Sequence, residues 1–302
     1  MSTKKNILIT GSNRSGSTWV GRVVASNGKV DTIIEPLNLN RIKRYGRINL
    51  NYWYPKVDDN SSSELKSELK KLVGYYLSAS YGTFFSQIFE SYEGHNLLKS
   101  AKKRWRRASK PIKMLKDPTA IFCVPWLVEQ YDVSPVILIR HPAAYVLSIK
   151  EKNWWFDFEN LLVQPHFFTG GMEHLKDEVV QFNSNKEEMS IVENAALLWK
   201  VFYTQVSLYQ KEFPNWFYVT HEELSLEPES SFKRMFAYLN LEFNESVSEY
   251  LIESTQATNK AEFKRDSVKN TTKWESKLSE TEKTAIYSIT APISDQYYEP
   301  WS

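Results

Sequence analysis

A short apolar run that ends in glycine and leads into a helical pattern dominates the start of the chain. Asn6–Thr10 reads as a buried strand, Gly11 breaks it, Ser12–Ser15 form a polar loop, and a helix is expected from about Gly16. The N–H groups of such a loop and of the first helical turn point at one spot, where the helix dipole favours negative charge. The segment therefore predicts a site for phosphate-like groups.

The loop differs from an ATP-binding loop at one decisive position. Its glycines have the spacing Gly11-x4-Gly16 of a P-loop, but Ser17 stands where a P-loop kinase or NTPase needs a lysine. Arg14, inside the loop, supplies a cation instead. We interpret the loop as a phosphate cradle that is not built for phosphoryl transfer, with a P-loop kinase as the weaker alternative.

Composition limits the class of protein further. The 302 residues are 42% hydrophobic and 14% aromatic, enough for a folded core, and the net charge is only +2. This balance argues against a general nucleic-acid or membrane-surface binder. The single cysteine, Cys123, has apolar neighbours and is interpreted as a buried structural thiol in a reducing compartment. Without a signal peptide or an apolar run of 18 residues, we expect a cytoplasmic protein with no integral membrane segment.

Short apolar runs alternate with helical patterns along the whole chain. Strands are expected at Asn6–Thr10, Thr32–Ile34, Ile112–Leu115, Val136–Ile139 and Trp216–Thr220. Helices are expected within Ser62–Tyr92 and at Thr119–Tyr131, Ala143–Lys152, Met189–Phe213, Pro228–Leu239, Glu245–Ser254 and Ser279–Ala291, with a loop over Ala257–Thr272. The pattern predicts one domain over residues 1–302, of the α/β class, with a central, mostly parallel sheet between two layers of helices.

Four of the predicted strands deliver polar side chains at their C-terminal ends, which parallel strands bring to one edge of a sheet. In chain order, these side chains are Arg14, Glu35, Lys116 and Arg140. Ser148 lies eight residues after Arg140, so a guanidinium and a hydroxyl can hold one phosphate if the helix between them leans over the loop. Cations and loop amides suit a ligand with several phosphate-like groups, and the lone carboxylate suits a general base.

Two of these segments resemble motifs of the sulfotransferases that use 3′-phosphoadenosine 5′-phosphosulfate (PAPS). GSNRSGSTW at 11–19 is similar to the family's 5′-phosphosulfate loop, and IRHPAAYVLS at 139–148 to its 3′-phosphate motif. THEELSLEP at 220–228 and RDSVKNTTKW at 265–274 resemble later family segments, so the resemblance spans nearly the whole chain. NWWFDFENLL at 153–162 looks most like bacterial members. The resemblance implies the P-loop-like sulfotransferase fold, PAPS as co-substrate, PAP as product, and no metal.

The resemblance also implies which residues bind the donor. Its phosphates and adenine would be held by Arg14, Ser15, Gly16, Ser17, Thr18, Trp19, Arg140, Ser148, His221, Lys269, Lys273 and Trp274. His221 stands where the family usually has tyrosine, and it can equally be read as an ordinary surface or core histidine. The five histidines are scattered without the spacing of metal ligands.

The general base is implied by a family pattern in which a glutamate follows the loop cation by about twenty residues. Glu35, twenty-one residues after Arg14, fits that pattern, and Lys116 would be a second cation on the transferring group. Glu35 can also be read as a capping or salt-bridged carboxylate. Asp117 is the second candidate base, although a residue before proline at a strand end can simply cap the next helix.

The acceptor is expected to be a small molecule or glycan. A carbohydrate or glycolipid hydroxyl is preferred, with a small alcohol or phenol second, and Trp154, Trp155 and Phe156 would line its site unless they belong to the core. A non-catalytic PAP/PAPS- or glycan-binding module is the alternative to an enzyme. The basic run Lys99–Lys110 reads as a solvated linker or as a rim around an anionic ligand. The sequence carries no signal for an oligomeric state.

Overall fold

Five apolar runs form one parallel sheet. The computed structural model describes residues 6–45, 50–77, 110–255 and 267–301. Its strands are β1 (Asn6–Gly11), β2 (Val30–Ile34), β3 (Ile112–Lys116), β4 (Val133–Ile139) and β5 (Phe217–Thr220). They lie in the order β2-β3-β1-β4-β5, and every neighbouring pair is parallel. The predicted α/β class, with a central parallel sheet and flanking helices, is confirmed.

Helices connect the strands and cover both faces of the sheet. Those before β3 are α1 (Ser17–Ala25), α2 (Leu39–Tyr45) and α3 (Ser63–Leu77). Between β3 and β5 lie α4 (Val124–Tyr131), α5 (Pro142–Lys150), α6 (Glu159–Leu162), α7 (Lys176–Ser184) and α8 (Ile191–Glu212). After β5 come α9 (His221–Leu226), α10 (Pro228–Tyr238), α11 (Glu245–Thr255), α12 (Ser267–Lys277) and α13 (Glu280–Ser294). Two 3₁₀ helices span Pro118–Cys123 and Glu173–Leu175.

The two faces of the sheet enter separate hydrophobic cores, because successive side chains of a strand point to opposite sides. Leu8 and Ile137 belong to the larger core, which includes α5 and α8. Ile7 and Leu138 belong to the smaller core, which includes α1, α10 and α11. Burial on both faces explains why the strands read as continuous apolar runs in the sequence.

The parallel arrangement brings the C-terminal ends of all five strands to one edge. The chain leaves β1 for β2 on one side of the sheet and later reaches β4 on the other, so β1 borders the point where the strand order reverses. Ligands of open α/β sheets bind at that point. The loop after β1 therefore lies where the fold places a binding site.

One predicted loop is in part a helix. The sequence assigned Ala257–Thr272 to a loop, which is wrong from Ser267 onward because α12 begins there, while 256–266 lie outside the described residues. Thr271 and Trp274 are among the few buried residues of α12, so its apolar face is too narrow to produce a helical period in the sequence.

Other differences follow from local capping and from proline. α9 replaces a predicted polar turn because the Thr220 hydroxyl accepts a hydrogen bond from the Glu223 N–H at 3.0 Å. The predicted helix Thr119–Tyr131 divides into a 3₁₀ helix and α4, since Pro125 has no N–H to continue the first segment. No helix was predicted for α2, α6 or α7. Of the basic run, only Lys110 is described, and of Ser62–Tyr92 only α3.

Candidate active site

The loop between β1 and α1 depends on two glycines with positive φ angles. At Gly11, φ is +143° and an added Cβ would lie 2.4 Å from the Leu138 carbonyl oxygen, so only glycine lets β1 end this close to β4. Gly16, with φ +93°, precedes α1, and its carbonyl accepts from the N–H of Trp19 at 2.9 Å. The hydroxyl of Ser15 is buried without a hydrogen-bond partner in the described structure. Ser17 is buried and Thr18 is exposed in the first turn of α1.

Arg14, Arg140 and Ser148 meet beside this loop. Arg14 has a φ of +66° and donates from Nε to the Ser148 hydroxyl at 2.8 Å. Arg140 donates from its guanidinium to the Arg14 carbonyl oxygen at 2.5 Å, while its own Nε is buried without a described partner. The sequence paired Ser148 with Arg140; in the structure Arg14 is the residue that contacts the hydroxyl. The three residues nevertheless form one cluster.

Glu35 and Lys116 form an ion pair at the ends of β2 and β3. The Lys116 Nζ lies 2.5 Å from Glu35 Oε1, and the Glu35 N–H donates to the Lys116 carbonyl oxygen at 2.8 Å. Asn38 donates to the other carboxylate oxygen at 3.1 Å. Burial alone would raise the pKa of Glu35, but the hydrogen bonds from Lys116 and Asn38 and the charges of Lys116 and Arg41 together outweigh it and lower that pKa. Glu35 is therefore ionised at neutral pH.

Asp117 holds the backbone around this pair. Its side chain is fully buried; one oxygen accepts from the Leu37 N–H at 2.7 Å, and the other from Thr119, at 2.9 Å from N and 2.5 Å from Oγ1. Burial raises the pKa of Asp117 to about 6, against the effect of the Thr119 and Leu37 hydrogen bonds. This carboxylate caps the 3₁₀ helix that follows β3 and fixes the turn after Glu35.

Trp19 and His221 lie on the other side of the loop. The Trp19 indole donates to the Ser254 hydroxyl at 3.0 Å, and its ring meets that of His221 edge-on at 6.0 Å. The His221 ring lies against Gly16, where an added Cβ would be 2.6 Å from Nδ1. Burial and the charge of Arg140 lower the pKa of His221 to about 3, so the ring is neutral, and its Nδ1 has no described hydrogen-bond partner.

The sequence as a whole matches a known family. The model of the sulfotransferase domain matches residues 4–288. The chain belongs to the sulfotransferase family. It is thus an enzyme of the sulfuryl-transferring class, and the P-loop kinase alternative is set aside. None of the curated proteins shows a significant match to it.

One solved sulfotransferase domain shares the fold of this family member, and two further sulfotransferase structures match it with lower scores. The sulfotransferase domain from the curacin biosynthetic pathway is 16% identical, with a TM-score of 0.53 over 99% of this chain and 100% of that one. The domain from the Synechococcus PCC 7002 olefin synthase is 14% identical, with a TM-score of 0.47 over 98% and 97%. Mouse sulfotransferase SULT7A1, complexed with PAP, is 12% identical, with a TM-score of 0.47 over 97% and 86%.

The late residues implied by the resemblance lie on α12, where two of them contact residues on either side of α5. Lys273 donates to the Glu151 carboxylate at 2.5 Å, and Lys269 is exposed on α12. Trp274 is buried and stacks on His141, with ring centroids 4.6 Å apart. These contacts tie α12 to α5 and to the residue after Arg140.

Two aromatic residues near the end of the described chain, Tyr298 and Trp301, contact Glu222 and His141. The Tyr298 hydroxyl donates to one oxygen of Glu222 at 2.8 Å, and the His141 N–H donates to the other at 3.2 Å. Trp301 packs against His141, with ring centroids 4.9 Å apart. Sequence reasoning missed these contacts, because Tyr298 and Trp301 lie beyond the motifs.

The three aromatic residues expected to line the acceptor site have different surroundings. Trp154 is 47% exposed, and the Arg14 guanidinium carbon lies 5.8 Å from its ring centroid. Trp155 is also exposed and lies beside Phe182, while Phe156 packs edge-on against the buried Tyr54 at 5.6 Å. Of these three, Trp154 is the one whose described contacts reach the loop.

Three further findings concern metal binding, membrane spans and the cysteine. Across residues 6–45, 50–77, 110–255 and 267–301, no group of three His, Cys, Asp or Glu side chains could hold a metal ion. None of the helices in these ranges is both long and apolar enough to cross a membrane. The Cys123 thiol is buried and donates to the Pro55 carbonyl oxygen at 2.9 Å, as expected for a structural cysteine.

Proposed function

We propose that this sulfotransferase moves a sulfuryl group from PAPS to an acceptor hydroxyl. The observation that carries the proposal is the cluster of Arg14, Arg140 and Ser148, in which Arg14 Nε lies 2.8 Å from Ser148 Oγ. PAPS carries a phosphosulfate and a second phosphate on one ribose, so its site needs two anion-binding regions close together. The loop and the Arg140–Ser148 region meet that requirement.

Unused hydrogen-bonding capacity also supports an anionic ligand. Ser15 Oγ and Arg140 Nε are both buried without described partners. A buried polar group that makes no hydrogen bond costs free energy, so native proteins rarely keep one without a reason. Phosphate oxygens would satisfy both atoms. In this proposal Arg14 and Ser15–Thr18 bind the phosphosulfate, and Arg140 and Ser148 bind the 3′-phosphate.

The adenine would lie on the side of Trp19 and His221. The neutral His221 offers an unprotonated nitrogen or an N–H, depending on its tautomer. Lys273 and Trp274 are assigned no direct contact with the donor, because Lys273 is paired with Glu151 and Trp274 is stacked on His141. Lys269 stays a candidate for donor binding.

The reaction would be a direct in-line transfer with Glu35 as general base. The acceptor oxygen forms a bond to sulfur while the bond from sulfur to the bridging phosphate oxygen breaks. The acceptor proton passes to Glu35, and PAP leaves with the electron pair of the broken bond. Arg14 and Lys116 would stabilise the negative charge on the leaving phosphate. The ion pair with Lys116 keeps Glu35 in the ionised form that a base requires.

A carbohydrate or glycolipid hydroxyl is the acceptor that the surroundings of the loop favour. Trp154 offers an exposed ring face beside Arg14, and such faces pack well against the C–H groups of a sugar ring. A small alcohol or phenol is the second candidate.

The test is a sulfation screen of the purified protein with PAPS against glycan, glycolipid and phenol acceptors, using mass spectrometry to detect added sulfate. We expect PAPS-dependent sulfation of at least one hydroxyl class, and Trp154→Ala should raise KM for a glycan acceptor without changing the affinity for PAP. Binding of PAP without any sulfated product would instead favour the non-catalytic binding module. Failure to bind PAP would contradict the proposal itself.

A further inference from the structure

One buried hydroxyl contacts both halves of the proposed donor site. Tyr203 on α8 is fully buried, and its oxygen lies 2.8 Å from the Ser12 hydroxyl in the loop after β1. The same oxygen accepts a hydrogen bond from the Arg140 N–H at 3.2 Å. A third contact, of 3.3 Å, runs to the Leu138 carbonyl oxygen on β4. The phenol thus joins the start of the phosphate loop to the end of β4.

A second aromatic residue of α8 completes the hold on Arg140. Trp199 donates from its indole N–H to the Arg140 carbonyl oxygen at 2.8 Å. Trp199 and Tyr203 are four residues apart, so they share one face of the helix, and their ring centroids lie 4.6 Å apart. Together they bind both the N–H and the carbonyl of Arg140, which fixes the backbone from which its guanidinium extends.

The protons available to Tyr203 give this network a direction. Because its oxygen accepts from Arg140 and carries a single proton, it can donate to either Ser12 or Leu138 but not to both. The Leu138 carbonyl oxygen can only accept, so the phenol donates to it, and the Ser12 hydroxyl donates to the phenol. The Tyr203 oxygen then accepts from both Ser12 and the Arg140 N–H, so all three contacts are hydrogen bonds, and each bond in such a network polarises the next.

Packing alone does not explain the hydroxyl. A phenylalanine at 203 would fill the same space between the loop and β4 without bringing a polar atom into the core. Burying a hydroxyl costs free energy unless its hydrogen bonds replace those lost to water. The three contacts of Tyr203 meet that cost, and both of its shorter ones go to backbone segments that carry proposed phosphate-binding residues.

We propose that Tyr203 is a positioning residue that couples the 5′ and 3′ subsites of the donor site. The inference rests on the proposed function, since it concerns the nucleotide that the site would bind. Tyr203 holds the loop and Arg140 in a fixed relative position. When the loop binds the 5′ end of the nucleotide, the 3′-phosphate then lies at Arg140 and contributes fully to the binding free energy. Without the hydroxyl, the two subsites bind their phosphates less cooperatively.

The test compares two nucleotides that differ only in the 3′-phosphate. Isothermal titration calorimetry would give the affinities for PAP and for adenosine 5′-phosphate, and their ratio measures the contribution of the 3′-phosphate. For Tyr203→Phe we expect this ratio to fall about tenfold, a coupling typical of residues in one hydrogen-bond network. Tyr209→Phe is the matched control, because Tyr209 is a buried tyrosine of the same helix that packs on Trp216, and it should leave the ratio unchanged.

Ser12→Ala provides the second arm of the experiment. It should lower the ratio by a similar factor, and the double variant with Tyr203→Phe should be no worse than either one. If Tyr203→Phe does not fold, Ser12→Ala alone tests the proposal. An unchanged ratio of the PAP and adenosine 5′-phosphate affinities in Ser12→Ala then overturns the proposal. Equal weakening of both nucleotides in Tyr203→Phe also overturns it, because that is the result of a purely structural role. If the unmodified protein binds neither nucleotide, the proposed function fails, and this inference fails with it.

Discussion

Arg14 and Ser148, 134 residues apart in the sequence, are joined by a hydrogen bond of 2.8 Å from the guanidinium Nε to the hydroxyl. The contact connects the loop after β1 with α5, the two segments proposed to hold the two phosphates of PAPS. Both residues therefore belong to a single unit, and a change in one alters the surroundings of the other.

The first prediction concerns this hydrogen bond. Ser148→Ala removes a hydroxyl that can bind both Arg14 and a phosphate oxygen, so the affinity for PAP should fall about 10- to 100-fold, since hydrogen bonds to charged groups contribute roughly 1.5–3 kcal/mol. Isothermal titration calorimetry with PAP measures this affinity. Ser184→Ala, at an exposed position near the end of α7, is the control and should bind PAP normally. Normal affinity in Ser148→Ala would contradict the assignment.

The second prediction separates the two candidate bases. Glu35→Gln should lower kcat about 10²–10⁴-fold, the usual contribution of general-base catalysis, while PAP still binds. Near-normal turnover at saturating PAPS would show that Glu35 is not the base. A calorimetric titration with PAP confirms that the variant retains its donor site.

Asp117, in contrast, should contribute to the stability of the fold rather than to catalysis. Asp117→Ala leaves the buried N–H groups of Leu37 and Thr119 without their acceptor, so the free energy of unfolding should fall by about 2–5 kcal/mol. Urea denaturation measures this change. Glu35→Gln should change the unfolding free energy much less, because Glu35 is more exposed than Asp117. A stable but inactive Asp117→Ala variant would restore Asp117 as a candidate base.

The third prediction concerns pH. Lys116 and Asn38 lower the pKa of Glu35 below its ordinary 4.5. Protonation of Glu35 should therefore reduce kcat only below that pH. Lys116→Met removes the main opposing charge and leaves burial, which raises the pKa, so the acid limb of the residual activity should move to higher pH. The contribution of the ion pair to the free energy of unfolding depends on pH in the same direction. It is present above the pKa that Glu35 has in the unfolded chain, and it is lost as the pH falls through the lower pKa of the folded state. An acid limb that does not move would contradict this account.

The fourth prediction concerns the loop itself. Gly16→Ala introduces a Cβ where φ is +93° and where the His221 Nδ1 would be 2.6 Å away, so it should destabilise the protein by about 1–3 kcal/mol and weaken PAP binding. His221→Ala in the same chain removes the clash but leaves the backbone strain, so it should recover part of the loss. Thermal unfolding of the single and double variants measures both effects. No recovery would show that the ring is not the obstacle.

The sequence was sufficient for the strands and for the residues at their ends. Continuous apolar runs identified all five strands of the described sheet, because burial on both faces leaves a strong signal, and Arg14, Glu35 and Lys116 follow directly from strand ends. The helices α9 and α12 were missed because their stability depends on a cap and on a few tertiary contacts. The Thr220-x-x-Glu223 spacing was the available signal for α9.

The partners within the site could not be predicted in the same way. Nothing in the sequence pairs Lys116 with Glu35 or brings Tyr203 to Ser12, because these contacts depend on which strands become neighbours. Trp199 and Tyr203 look like ordinary core residues of a long helix, and only the structure shows that their polar ends reach Arg140.

The contacts of Tyr298 and Trp301 have a practical consequence for anyone who truncates this protein. The family match ends at residue 288, yet Tyr298 and Trp301 support His141 and Glu222 behind Arg140. A domain trimmed at the family boundary would lose a donor to the Glu222 carboxylate and a ring that packs on His141. A truncated form should therefore keep the residues through Trp301, so that both contacts are retained.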